Sequence, residues 1–154
     1  MSDIKTKYPS TSSVTLTISL ASLASGSAGV FTAGQESTAV DNTSNLDVDH
    51  LLSGVIRAGT SPTASRYINV YVYANISSAS GTPTYPDVLD GTDSAETFTS
   101  ANVMNGIVKL AASMISDSTS NRDYFFGPVS VAQLFGGSLP KLSLIHISEP
   151  TRQA

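Results

Sequence analysis

Two stretches of period-two alternation constrain this chain most. Over residues 14–20, Val14, Leu16, Ile18 and Leu20 alternate with Thr15, Thr17 and Ser19. Over residues 66–75, Ile68, Val70, Val72 and Ala74 alternate with Tyr67, Asn69, Tyr71 and Tyr73. A repeat of two sends successive side chains to opposite faces, so both stretches specify strands rather than helices. The first has one apolar and one hydroxyl face and suits a sheet with water on one side. The second has an aliphatic face and a tyrosine stripe.

The rest of the chain is punctuated at short spacing. Residues 21–29, ASLASGSAG, carry too little side chain to anchor themselves and read as a loop. Residues 30–39 are ambiguous, with Val30 and Phe31 as core anchors and a short strand over 37–40 before the Asp41–Asn42 turn. Residues 48–57, VDHLLSGVIR, are apolar at both parities, which predicts an interior strand. Residues 77–96 contain two prolines and two glycines and form a long irregular segment expected on the outside. A strand over 107–115 follows, with Val108, Leu110, Ala112 and Met114 on one face. After a polar turn at 117–121, residues 124–129 form a short strand that Pro128 ends or places on an edge.

Residues 130–136 fit one or two helical turns, with Ser130 as N-cap and Gly136 or Gly137 in the left-handed position after the end. Six or more strands, almost no helix and no repeat at periods of 20–50 residues predict an all-β chain, a single β-sandwich or jelly-roll-like domain.

Residues 142–152, LSLIHISEPTR, equal residue by residue the translation of the transposase adapter of common fragment-sequencing libraries. On that reading residues 142–154 are a translated artefact, the native domain is truncated at 141, and the divisions are a flexible arm over 1–12, an incomplete β-sandwich over 13–141 and a non-native tail. Leu142, Leu144, Ile145 and Ile147 nevertheless have strand propensity, so the tail is suited to occupy an open sheet edge by accident.

Composition narrows the function classes. Ser and Thr supply 42 of 154 residues, and charged residues only 13 %. Hydroxyls therefore carry much of the solubility. Setting aside Arg152 and Glu149 leaves the net charge at -4, with no basic field for nucleic acid. The absence of Cys excludes a disulfide framework and any thiolate metal site. The first residues, MSDIKTKYPSTSS, have no apolar run behind their lysines and do not read as a signal peptide, and no stretch approaches the ~20 apolar residues of a membrane helix. The expectation is a protein made and kept in the cytoplasm unless released by lysis, with no membrane partner.

Chemistry-bearing residues are sparse. Asp87, Asp90, Asp93 and Glu96, spaced by three, are the one concentration of carboxylates and a weak candidate for a hard cation such as Ca²⁺. They lack the ordered D-x-[DN]-x-[DN]-G spacing of a specific calcium loop, and a solvated turn is the plainer reading. Outside the tail, His50 is the sole histidine, and no G-x-S-x-G elbow or phosphate-cradling glycine motif accompanies it. No catalytic residue and no cofactor are expected. The tyrosine stripe, Tyr67, Tyr71 and Tyr73, with Tyr85 nearby, supplies candidate contacts for a protein interface or for sugar rings, against the alternative of a second core face.

Several segments together carry a family resemblance: VTLTISLASLASGSAG, AGQESTAVDN, the strand ending YVYA, TPTYPDVLDGTDSAET and the closing FFGPVSVAQLFGGSLPK. They resemble the small virion structural proteins encoded by tailed bacteriophages, over most of residues 1–141. In similar proteins an apolar strand rich in Trp, Val and Asn follows the LPK, where the adapter match begins here. The resemblance implies a β-sandwich present in many symmetric copies on the virion, as capsid decoration, neck or tail-associated subunit. Its partners would be other virion proteins and further copies of itself, through an interface above about 1,000 Å². The alternative expectation is a carbohydrate- or host-surface-binding module.

Overall fold

The structure is a computed structural model and describes residues 16–20, 23, 32–44, 46–75 and 84–148. The expected arm over 1–12 and the anchors Val30 and Phe31 lie outside them. The chain is all-β, with two antiparallel sheets and two short helices among the described residues. In chain order the elements are β1 (Ala33–Glu36), β2 (Val40–Asp41), β3 (Leu51–Arg57), β4 (Tyr67–Ala74), β5 (Ser94–Thr97), α1 (Ala101–Ile107), β6 (Lys109–Ile115), β7 (Asp123–Ser130), α2 (Val131–Leu134) and β8 (Leu142–Ser148).

The large sheet runs β5-β1-β8-β4-β6, with β2 also pairing β8, and the small sheet is β3-β7. The alternation in β4 works as its pattern dictates. Ile68, Val70 and Val72 join Ile145 and Ile147 of β8, Ile56 of β3 and Val131 of α2 in the core between the two sheets. The opposite face is a second core, in which Tyr73, Leu89, Phe98, Met104 and Val108 are buried. The large sheet is thus covered on both sides.

Several expectations are corrected. Residues 16–20 form no strand: they are extended and dock at Thr38 N–H, which donates to the Thr17 carbonyl at 2.9 Å, while Leu16, Ile18 and Leu20 pack on the first core. Their period survives without a ladder, because apolar alternation specifies a buried face and not a pairing partner. β3 is not interior. Among the described residues it pairs only with β7, and Leu51 and Val55 on its outer face are exposed.

Of the irregular segment over 77–96, residues 77–83 lie outside the described residues, and the part from residue 84 on is only partly exterior. Leu89 is buried in the second core, and Ser94–Thr97 become β5. The expected strand start at Ile107 belongs instead to α1, whose N-cap Ser100 accepts a hydrogen bond from Val103 N–H at 3.2 Å and whose Met104 is buried. In β6 a register shift opposite Val70/Tyr71 disrupts the single face read from the sequence. Val108 ends in the second core, Ala112 and Met114 pack on the first, and Leu110 is exposed.

The closing helix matches its expectation. Ser130 caps α2 by accepting from Gln133 N–H at 3.2 Å, and Gly136 and Gly137 have φ of +75° and +96°. Residues 142–148 do not sit at an edge. β8 is the central strand of the large sheet, antiparallel to β1 and to β4.

Candidate functional site

The second core encloses a buried carboxylate together with its hydrogen-bond donors. Glu36, the last residue of β1, is fully buried. Its carboxylate accepts the Tyr73 hydroxyl, Gly91 N–H at 2.6 Å and Asp90 N–H at 3.3 Å. Burial pushes the Glu36 carboxyl above its ordinary range, opposed by these donors. The Tyr73 hydroxyl is pushed far up by burial and by the neighbouring Glu36. The pair is a structural clamp holding the turn at 90–91 against β1. Gly91 has φ +83° and a Cβ there would lie 2.6 Å from the Tyr85 ring, so only glycine permits both the turn and the tyrosine over it.

The four expected carboxylates do not converge. Asp87 accepts Thr99 N–H at 2.8 Å and the Thr99 hydroxyl, contacts that hold its carboxyl below the usual range. Asp93 accepts Ser19 N–H at 2.9 Å, the Ser19 hydroxyl at 2.7 Å and Gln35 Nε2 at 2.8 Å, tying residues 16–20 to β1. Its carboxyl is likewise lowered, chiefly by Ser19. Asp90 and Glu96 come together with Glu36, their ligand atoms within 4.8 Å of one another. Glu36 was not singled out from the sequence. The available signal was a carboxylate at the core parity of a short strand, AGQE, and the ambiguity of residues 30–39 hid it.

This trio is a poor cation site as it stands. Glu36 is already occupied by one hydroxyl and two amide donors, and Asp90 accepts Thr92 N–H at 2.9 Å. A cation would have to displace these donors from a desolvated carboxylate.

The tyrosines divide. Tyr73 is completely buried, so it is removed from the interface candidates and belongs to the second core. Tyr71 packs at the margin of that core and accepts Asn69 Nδ2 at 3.1 Å, and Tyr85 covers the Glu36 clamp. Tyr67 is half-buried. The tyrosines form no exposed aromatic row, and their shared parity in β4 serves mainly to fill a second core.

His50 pairs with Asp47 Oδ2 at 3.2 Å, half-buried. Neither is joined to a hydroxyl nucleophile by any hydrogen bond among the described residues.

A different surface has the chemistry of an interface. On the outer face of the small sheet Val55 and Phe125 are register partners, 53 % and 72 % exposed. Leu51 shares that face, and Leu46 and Val48 are exposed in the approach to β3. The Arg57–Asp123 ion pair, with Nε–Oδ1 at 2.6 Å, closes one end. The signal in the sequence is the second apolar parity of residues 48–57, which reads equally as a buried face.

No protein-family model, no curated protein and no solved structure matches the chain. No helix among the described residues is long and apolar enough to cross a membrane.

Proposed function

We propose that this chain is a non-enzymatic structural subunit of a tailed-phage particle, a capsid decoration, neck or tail-associated protein, that acts by protein–protein assembly. The observation that carries the assembly reading is the exposed Val55–Phe125 cross-strand pair with Leu51 beside it. Contiguous exposed apolar surface on a soluble domain marks an interaction site, and isolated apolar residues do not. The phage assignment rests on the sequence resemblance. In this reading the protein is made in the host cytoplasm, persists on the virion, and contacts other virion proteins and copies of itself.

The test is mass spectrometry of purified particles from a host expressing the intact gene. Peptides of this chain at structural-protein abundance support the proposal, and their absence from particles defeats it. Carbohydrate or host-surface binding is the weaker reading, because Tyr73 is buried and the remaining tyrosines line no exposed groove among the described residues.

A further inference from the structure

The two most exposed large apolar side chains among the described residues stand together ahead of β3: Leu46 is 76 % and Val48 86 % exposed. Their backbone is pinned on both sides. The buried side chain of Asn42 accepts Asp47 N–H at 2.7 Å and donates to the Asp47 carbonyl at 3.0 Å, and Leu46 N–H donates to the Asn42 carbonyl at 3.1 Å. Asp49 is fixed to the start of α2, accepting the Ser130 hydroxyl at 2.6 Å and Ala132 N–H at 2.8 Å. Leu46 is held at φ +52°, a left-handed conformation that a bulky residue keeps only when its surroundings impose it. An apolar tip already fixed in place loses little freedom on binding, which suits it to anchor an interface. Asp47 and Asp49 alternate with Leu46 and Val48, so the tip has acidic flanks.

The other end of β3, whose seven residues span about 20 Å, borders a cavity of about 260 Å³. The buried Ile56 and Ile68 line it, with Leu20 and Leu23 adding aliphatic surface and Arg57 a cation. An apolar cavity of roughly 150 Å³ holds a benzene ring, so this one has room for a leucine side chain. Arg57 is bound to Asp123 through Nε and Nη2, which leaves Nη1 without a partner among the described residues.

We infer that the tip at residues 46–48 of one copy seats in this cavity of a second copy, Leu46 meeting Ile56 and Ile68 while the acidic flank meets Arg57 Nη1. The inference rests on the assembly reading above and gives self-assembly its contact. A second copy is the occupant because the chain carries both complementary halves, an acidic-flanked apolar tip and an apolar cavity with an arginine in its wall. The halves lie at opposite ends of β3, so the contact is head-to-tail and continues from copy to copy as a ring or an open row. The Val55–Phe125 face takes no part in it and stays free for other proteins.

The experiment is sedimentation velocity of the purified full chain over a wide concentration range. The parent sediments faster as concentration rises. Leu46→Asp, a residue that tolerates the left-handed conformation, removes the tip, and Gly59→Trp, at a cavity position where an added Cβ meets nothing within 4 Å, fills the cavity. Each variant stays monomeric with the parent's Tm. Val48→Asp and Ser61→Trp repeat the two losses at neighbouring positions, in case either first variant fails to fold. Mixing Leu46→Asp with Gly59→Trp pairs one intact cavity with one intact tip, and gives a dimer of one copy of each that grows no further. The inference is overturned if the parent is monomeric at every concentration, if the variants associate as the parent does, or if the mixture stays monomeric. Self-association of a chain that is absent from particles would leave this contact standing and defeat the virion proposal, and incorporation of a chain that never self-associates would do the reverse.

Discussion

The hydroxyl of Tyr73, on β4, is donated to the buried carboxylate of Glu36, on β1, across the position of β8. The two residues are 37 apart in sequence, and together they anchor the Asp90–Gly91 turn over the second core. This relationship explains why the tyrosine stripe and the acidic loop, read separately from the sequence, are parts of one packed region.

Removing that hydroxyl should be costly. Tyr73→Phe leaves a buried carboxylate oxygen without its side-chain donor, at a cost of about 1–3 kcal/mol. Urea unfolding of the two proteins measures it. An unchanged midpoint would mean that the clamp does not form.

Acid stability should be limited in part by His146, whose imidazole is pushed down to about 4 by burial. The unfolded chain binds the proton near its ordinary value of about 6.5 and the folded chain does not, so stability is present above that value and is lost as pH falls from about 6.5 towards 4. The full loss is on the order of 3 kcal/mol. Glu36 works in the opposite direction: its raised carboxyl makes stability fall as pH rises from the ordinary carboxylate range. Unfolding measured across this range should show a shallower acid limb in His146→Leu, and an equally steep one would place the acid sensitivity elsewhere.

The outer face of β3–β7 should matter to assembly and little to folding. Phe125→Glu changes the stability of the isolated chain by about 1 kcal/mol or less, because the ring is already largely in water. Incorporation of the variant into particles, compared with the parent by quantitative mass spectrometry, should fall severalfold. Equal incorporation would remove this face from the interface.

The carboxylates Glu36, Asp90 and Glu96 should not behave as a calcium site. Excess Ca²⁺ or EDTA is expected to leave the Tm of the chain unaltered, because Glu36 is buried and already engaged by three protein donors. A ligand that binds the folded state raises the melting temperature with concentration, so a Ca²⁺-dependent rise would reverse this expectation.

Long-read sequencing of the source DNA across the codon for Lys141 tests the adapter reading directly. The expected outcome is a frame that continues into a different apolar strand, among genes for head or tail proteins. If LSLIHISEPTRQA is encoded, residues 142–154 are native and His146 becomes a buried polar group that the fold tolerates.

Residue spacing alone specifies the all-β class and the two-faced character of β4. Alternation is a local property, so the aliphatic and tyrosine faces of β4 and the capped turn at Ser130 followed from spacing and turn chemistry alone. Which face meets which partner is not local. The second apolar parity of β3 reads the same whether a sheet covers it or water does, and only the pairing with β7 alone left Val55 and Phe125 exposed. The register shift opposite Val70/Tyr71 separated Leu110 from Ala112 and Met114, and a one-residue irregularity of that kind has no signature in the alternation it interrupts. Glu36 became a buried clamp because strands distant in the chain closed around it and excluded water. Its altered carboxyl, like the buried ring nitrogens of His146 that meet no hydrogen-bond partner among the described residues, is a property of the desolvated environment and not of the residue.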